Sequence, residues 1–206
     1  MHILLVGAMP RRFSTQNFRW FAYTASALRR LGHTVVPLVG RESWVSSQVV
    51  TRRLERMPWA CRSVAKYEHA RRRRQDRQLV AVARKIRPDL VLVLKGDTLP
   101  AEVLLQVKRL ARGPLVTWWV DDPWRSPAFL PSLALFDHLF IFDRSYIPRL
   151  AAQGVQRVHF LPCACDETIY RPLALGHAER RQFSCDVSFV AWYFPERGPV
   201  VRALID

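Results

Sequence analysis

The segment LVLVLKGDTLPAEVLLQVKRLARGPLVTWWV, residues 90–120, contains the pattern from which the fold class is predicted. Its two ends are continuous apolar runs, which are typical of strands buried on both faces of a parallel sheet. Between them, apolar residues at helical spacing predict an amphipathic helix over residues 99–111, with Pro100 at its beginning and Gly113 just past its end. The segment therefore predicts a strand–helix–strand unit.

The same alternation extends from residue 1 to about residue 162. Further strands are predicted at residues 2–7, 34–39, 137–142 and 157–161, and helical patterns at residues 18–31, 44–87 and 146–153. This order predicts an α/β fold with a doubly wound, mostly parallel, Rossmann-like sheet and right-handed crossovers. Pro37 predicts that the second strand lies near a sheet edge or ends there.

The last forty or so residues predict a second, incomplete domain. Residues 164–183 are polar and without periodicity, as expected of a connector, whereas residues 186–190 predict a strand and residues 195–205 a helix. One strand and one helix cannot bury a core, so we expect only the beginning of a second α/β domain. The predicted division is a first domain at residues 1–172, a connector at 173–184 and the truncated second domain at 185–206.

The composition is strongly basic. The 206 residues include 28 Arg and 4 Lys, with a formal net charge of +15 and a pI of about 10.9. Such a balance suggests an acidic partner: nucleic acid, an anionic membrane surface or a phosphorylated substrate. No apolar run is long enough to span a bilayer and no secretion signal is present, so we expect a cytoplasmic protein, with peripheral contact to a membrane left open.

A run of arginines and the four cysteines are two further patterns that could indicate a binding site for nucleic acid or metal. The four arginines at residues 71–74 could bind nucleic acid, but consecutive helix residues point around almost the whole helix and no aromatic platform interleaves them. We therefore favour a solvated helix face and do not expect a nucleic-acid partner. The four cysteines fit no zinc spacing, and no phosphate-binding glycine loop occurs, so no metal and no bound cofactor is predicted.

Polar residues follow directly after the predicted strands, where open parallel sheets bind their ligands. The candidate catalytic residues are Asp121 and Asp122. The candidate substrate-binding residues are Lys95, Trp124, Asp143, Arg144, Ser145 and Asn17.

The adjacent carboxylates of Asp121 and Asp122 point in different directions at a strand exit, so they need not share a role. One could cap the following turn while the other accepts hydrogen bonds from sugar hydroxyls or acts as a base; both could also be turn residues. Lys95 could hold a phosphate or carboxylate, or form an ion pair with Asp97 or Asp121.

Three tryptophans flank these carboxylates and could form a stacking wall for a sugar ring. Trp118 and Trp119 are neighbours on one strand, so their side chains face opposite sides of the sheet. At least one of the two is therefore expected in the core.

Five segments, taken together and in this order, resemble the CgeB-type (spore maturation protein-like) glycosyltransferases, a bacterial GT-B group. They are LVLVLKG (90–96), VTWWVDDPW (116–124), DHLFIFDRSYIPRLAAQG (137–154), RVHFLPCACDETIYRP (157–172) and CDVSFVAWYFPER (185–197). The resemblance implies a two-domain, hexosyltransferase-like enzyme. Its N-terminal domain holds the acceptor, its C-terminal domain binds a nucleotide-sugar donor, and no metal is bound.

On this resemblance, the chain supplies mainly the acceptor-side domain. Asp121 or Asp122 would position or deprotonate a hydroxyl of a glycan, lipid-linked or protein acceptor, and Arg144 or Lys95 would hold an anionic part of the acceptor or the donor diphosphate. The sequence departs from the pattern of this family in two ways: nearly all of the expected donor domain is absent, and Ala191 stands where relatives usually have glycine. The alternative is a non-catalytic module that binds an anionic glycan, a lipid surface or a protein.

Overall fold

The computed structural model describes residues 1–7, 15–39, 58–190 and 195–204; the side chains of residues 15–19, 39, 58–65 and 68 lie outside this description. Its strands are β1 (His2–Gly7), β2 (Thr34–Val39), β3 (Leu90–Leu94), β4 (Leu115–Trp119), β5 (His138–Ile141) and β6 (Val158–Phe160). Its helices are α1 (Thr15–Arg30), α2 (Pro58–Ile86), α3 (Ala101–Leu110), α4 (Tyr146–Ala152), α5 (His177–Phe183) and α6 (Arg197–Ala203), with 3₁₀ helices at Pro123–Arg125 and Leu130–Leu135. The part of the predicted 44–87 helix before Pro58 lies outside the described residues.

The six strands form one sheet in the order β2-β1-β3-β4-β5-β6, and every neighbouring pair is parallel. The predicted parallel α/β fold is therefore confirmed. The chain proceeds outward from β1 to β2 in one direction and from β3 to β6 in the other, so the strand order reverses between β1 and β3. Pro37 lies on β2, at the sheet edge, where a residue without an N–H is tolerated.

Helices cover both faces of the sheet. On one face α1 contributes Phe21 and Ala25, which pack with Leu5, Val35 and Leu94. The opposite face carries the larger core, which α2, α3, the second 3₁₀ helix and α4 cover. Alternate side chains of β1, β2, β3 and β4 enter the two cores, which is why these four strands are almost wholly apolar.

The chain divides into two compact units, Met1–Asp166 and Glu167–Asp206. In the second unit the strand predicted at residues 186–190 is wrong: these residues form no strand, and Val187 and Val190 are 77% and 96% exposed. A strand needs a neighbour for its backbone hydrogen bonds, and the described part of this unit contains no strand.

The predicted connector at residues 164–183 also needs correction, because it contains α5, whose first turn is capped by Glu179 accepting from the backbone N–H of Gly176. The predicted C-terminal helix is confirmed as α6. Across the described residues, no helix has both the length and the apolar character needed to cross a membrane.

Candidate functional site

A cavity of about 220 Å³ opens at the carboxyl edge of the sheet, where the strand order reverses between β1 and β3. Among the described residues it is lined by Val6, Gly7, Trp20, Phe21, Val93, Leu94, Lys95, Gly96, Asp97, Thr98, Leu99, Val120 and Asp121. Open α/β sheets bind ligands at this position. Pockets that bind whole drug-sized ligands have volumes of roughly 300–1,000 Å³, so this smaller cavity suits one ring or a similar part of a larger ligand.

The backbone at the end of β3 shapes the mouth of the cavity. Lys95 and Gly96 both have left-handed backbone angles, with φ of +67° and +84°. Lys95 is held on both sides of this bend: its N–H donates to the carbonyl of Trp118 at 3.0 Å, and its carbonyl accepts from the hydroxyl of Thr117 at 3.3 Å. A left-handed lysine is uncommon, and such conformations cluster at functional sites.

The side chain of Lys95 lies between two carboxylates. Its Nζ is 3.1 Å from Oδ2 of Asp121 and 3.3 Å from Oδ2 of Asp97. Arg125 reaches the other oxygen of Asp121 at 3.4 Å, and the hydroxyl of Ser126 donates to Asp97 at 3.2 Å. The Lys95 and Asp121 side chains are each 33% exposed, so this network is accessible from solvent.

The network keeps Asp121 ionised. Burial raises the pKa of Asp121, but the hydrogen bond from Lys95, the N–H of Asp122 and the charges of Lys95 and Arg125 lower it, and the net pKa is below the ordinary 3.8. A general base works best when its pKa lies near the working pH. Asp121 is therefore better suited to accept a hydrogen bond than to remove a proton.

Asp122 has a different role. Its Oδ1 accepts from the backbone N–H of Trp124 at 2.9 Å and caps the 3₁₀ helix that begins at Pro123. Its own N–H donates to Asp121 at 2.9 Å. The two carboxylates thus have different roles, as the sequence suggested: Asp122 caps a helix and Asp121 lies at the cavity. Lys95 forms both of the ion pairs that were considered for it, with Asp97 and with Asp121.

The three tryptophans do not form one stacking wall. Trp119 is 1% exposed in the core, and Trp118 lies on the opposite face, edge-on to Trp20 with 5.5 Å between ring centroids. Trp124 instead packs on α4, where the guanidinium of Arg149 lies 3.8 Å from its ring centroid. The alternation of side chains along β4 and the turn after it separate the three rings.

The other candidate residues lie apart from the described lining of the cavity. Asp143 accepts from the N–H of Ser145 at 2.8 Å, and this bond and the Ser145 hydroxyl lower the pKa of Asp143. The guanidinium of Arg144 lies 4.4 Å from the ring centroid of Phe160 on β6. Asn17 lies in α1, but its side chain is outside the described residues.

The contribution of α1 to the cavity was not predicted from the sequence. Trp20 and Phe21 line it because the ring of Phe21 packs directly on Gly7: a Cβ at Gly7 would lie 2.5 Å from Cδ2 of Phe21. A glycine at the end of a buried strand, followed by aromatic residues on the next helix, was the available signal. Arg125 and Ser126, which support the two carboxylates, were missed as well.

Comparisons with known proteins do not assign the chain. No protein-family model matches it, and no curated protein is significantly similar to it. Within the described ranges, no three His, Cys, Asp or Glu side chains are grouped so as to hold a metal ion.

Proposed function

We propose that this chain is the acceptor-side part of a glycosyltransferase, which transfers a sugar from a nucleotide-sugar donor to an acceptor hydroxyl. The observation that carries the proposal is the ionised carboxylate of Asp121 at the rim of a cavity at the strand-order reversal. The resemblance of five segments to the CgeB-type glycosyltransferases supports the same conclusion and supplies the reaction class.

The charges at the cavity favour an uncharged part of the acceptor. The described lining carries one cation, Lys95, and two anions, Asp97 and Asp121, which leaves one net negative charge. The remaining walls are mostly apolar, as expected for the face of a sugar ring or a similar group. Because both carboxylates hold Lys95, we assign it the role of positioning Asp121 rather than that of binding a diphosphate.

In the proposed reaction, the acceptor hydroxyl donates a hydrogen bond to Asp121, which orients its oxygen toward the anomeric carbon of the donor. A bond forms between that oxygen and the anomeric carbon, and the bond from this carbon to the nucleoside diphosphate breaks. The hydroxyl proton leaves to solvent or to a base. Positioning of this kind lowers the barrier by fixing the reacting groups in advance.

The acceptor side is tested by glycan binding. The wild-type chain, Asp121→Asn and Asp122→Asn would be screened on a glycan array, and the strongest ligand then titrated against all three. Asp122→Asn is the matched control, since it removes the same charge one residue away and asparagine caps equally well. Losing the charged acceptor should weaken binding about tenfold or more for Asp121→Asn alone. Failure to bind any glycan, or equal binding by Asp121→Asn, would contradict the proposal.

A second function, glycan binding without transfer, is favoured by one observation: the lowered pKa makes Asp121 a weak base. The two functions separate when nucleotide sugars are added together with the bound glycan. Release of nucleoside diphosphate that depends on both the glycan and Asp121 indicates transfer. Binding that Asp121→Asn weakens, with no release from any donor, indicates a binding module.

A further inference from the structure

Four basic side chains form a straight row along α2. Lys66, Arg73, Arg77 and Arg84 are separated by seven, four and seven residues, and all four are exposed. At 3.6 residues per turn they fall within about 40° of one another and extend over about 27 Å. We refer to these four residues as the basic stripe.

The basic stripe faces away from the protein core. Leu79 and Ala83 of α2 are buried on the sheet, and Ile86 packs beside them. These side chains lie on the opposite side of the helix, roughly 100–160° from the stripe. Arg77 and Arg84 therefore lie on the side of the helix turned away from the sheet, and Lys66 and Arg73 continue the same line along the preceding turns, where most described side chains are exposed.

The surroundings of the stripe extend its positive charge. Arg74 and Lys85 are exposed and lie about 80–100° around the helix on one side. Asp76, the acidic side chain described between Lys66 and Ile86, is half-buried and lies about 80° away on the other side. Of the four arginines at residues 71–74, only Arg73 belongs to the stripe. The stripe therefore results from the helical spacing of separate basic residues and not from the run of consecutive arginines.

We propose that the basic stripe binds a membrane surface that contains anionic lipids. Four to eight Lys or Arg residues on a helix are the usual electrostatic signal for such lipids. A straight row of exposed side chains along one helix can bring all four cations to a flat layer of headgroups at once. Tyr67, 60% exposed beside Lys66, is the type of residue that favours the membrane interface.

Nucleic acid fits this surface less well. A straight row meets the curved backbones of a duplex only where it crosses them. Proteins that bind single strands stack successive bases on several aromatic rings, whereas Tyr67 is the exposed aromatic side chain described on α2. The formal net charge of +15 adds a general attraction to any polyanion, so the test must separate the stripe from the total charge.

The test is sedimentation of the full chain with vesicles of phosphatidylcholine alone or mixed with phosphatidylglycerol. The stripe variant K66Q/R73Q/R77Q/R84Q is compared with R109Q/R171Q/R181Q/R202Q, which removes four exposed positive charges elsewhere. Glutamine has a helix propensity close to that of lysine and arginine, so both variants should fold, and circular dichroism checks this. The double variants K66Q/R73Q and R77Q/R84Q provide the same comparison with smaller changes.

We expect binding to the mixed vesicles only. The stripe variant should bind on the order of 1,000-fold more weakly, each double variant about 30-fold more weakly, and the matched control nearly as the wild type. Equal losses in the stripe variant and its control would show that total charge is sufficient and overturn the proposal, as would no binding to mixed vesicles. Tighter, stripe-dependent binding to a DNA or RNA oligonucleotide than to vesicles would also overturn it.

Discussion

The ammonium nitrogen of Lys95 lies 3.1 Å from a carboxylate oxygen of Asp121, although the two residues are 26 positions apart in the sequence. Parallel pairing brings them together: Leu94 at the end of β3 lies opposite Trp118 near the end of β4, and each charged residue follows its strand. The pair therefore depends on the register of two strands and on the bend at Lys95. The first prediction concerns this bend.

Replacing Lys95 by glycine should give a more stable protein than replacing it by alanine. Both changes remove the ion pairs, but alanine keeps the cost of a left-handed backbone, about 1 kcal/mol or more, which glycine does not have. At Arg77, in the middle of α2, the order should reverse, with glycine about 1 kcal/mol less stable than alanine. Urea unfolding of the four variants measures both differences. Alanine more stable than glycine at both positions would mean that the bend at Lys95 is not strained.

Acid should destabilise the fold through Asp121 and Asp137. Burial raises the pKa of Asp137, but the hydrogen bonds from Lys108 and from the N–H of Leu115, both at 2.8 Å, lower it by more, so the net pKa lies below its ordinary value. The pKa of Asp121 is also lowered. The unfolded chain therefore takes up protons at a higher pH than the folded chain. The stabilisation is complete above the ordinary pKa of 3.8 and is lost as pH falls through the lower folded values.

Unfolding free energies, measured from neutral pH down to about pH 2, check this. D121N and D137N should each be less stable than the wild type at neutral pH, and each should show a flatter decline below about pH 4. A decline as steep as that of the wild type in both variants would assign the acid sensitivity to other carboxylates.

Much of the sheet was predictable because it is determined by local patterns. The apolar runs at β1 and β3 identify strands buried on both faces, and their alternation with helices leads to the parallel order. The polar residues after β3 and β4 were found for the same reason. The sequence suggested one capping and one ligand-facing carboxylate, but it did not show which residue takes which role, since that depends on which carboxylate Lys95 reaches across 26 residues.

Tertiary contacts explain the remaining differences. Phe21 lines the cavity because α1 crosses Gly7 closely. The glycine at the end of β1 indicates that a close approach is possible there, but the sequence does not give the distance. Residues 186–190 have the apolar character of a strand, but they lack a described neighbouring strand and remain exposed. Local pattern identifies what a segment can form, whereas pairing and packing determine what it does form.

Gly96 should be less replaceable than Gly154. Both have left-handed backbone angles, with φ of +84° and +80°. At Gly154 an added Cβ meets nothing within 4 Å, so alanine there costs only the backbone strain of about 1–2 kcal/mol. At Gly96 the Cβ would also lie 2.6 Å from a methyl group of Val93, a stiff β-branched side chain.

The difference between Gly96→Ala and Gly154→Ala in unfolding free energy therefore isolates the contact with Val93. We expect Gly96→Ala to be less stable than Gly154→Ala by about 1–3 kcal/mol, because the added methyl group overpacks a buried contact. Equal losses for the two variants would show that the chain at the cavity mouth shifts freely.

The hydroxyl of Thr117 should stabilise the bend at Lys95. Thr117 is fully buried on β4, and its Oγ1 donates to the carbonyl of Lys95 at 3.3 Å. Thr117→Val keeps the shape of the side chain but removes this donor, so the unfolding free energy should fall by about 1 kcal/mol, or more if the carbonyl is left without a partner. Thr117→Ser is the control, because it keeps the hydroxyl and loses one buried methyl group. If the bond positions Lys95, only Thr117→Val should also weaken glycan binding through Asp121. Equal glycan affinity in both variants, with a stability loss confined to Thr117→Val, would limit the hydroxyl to a structural role.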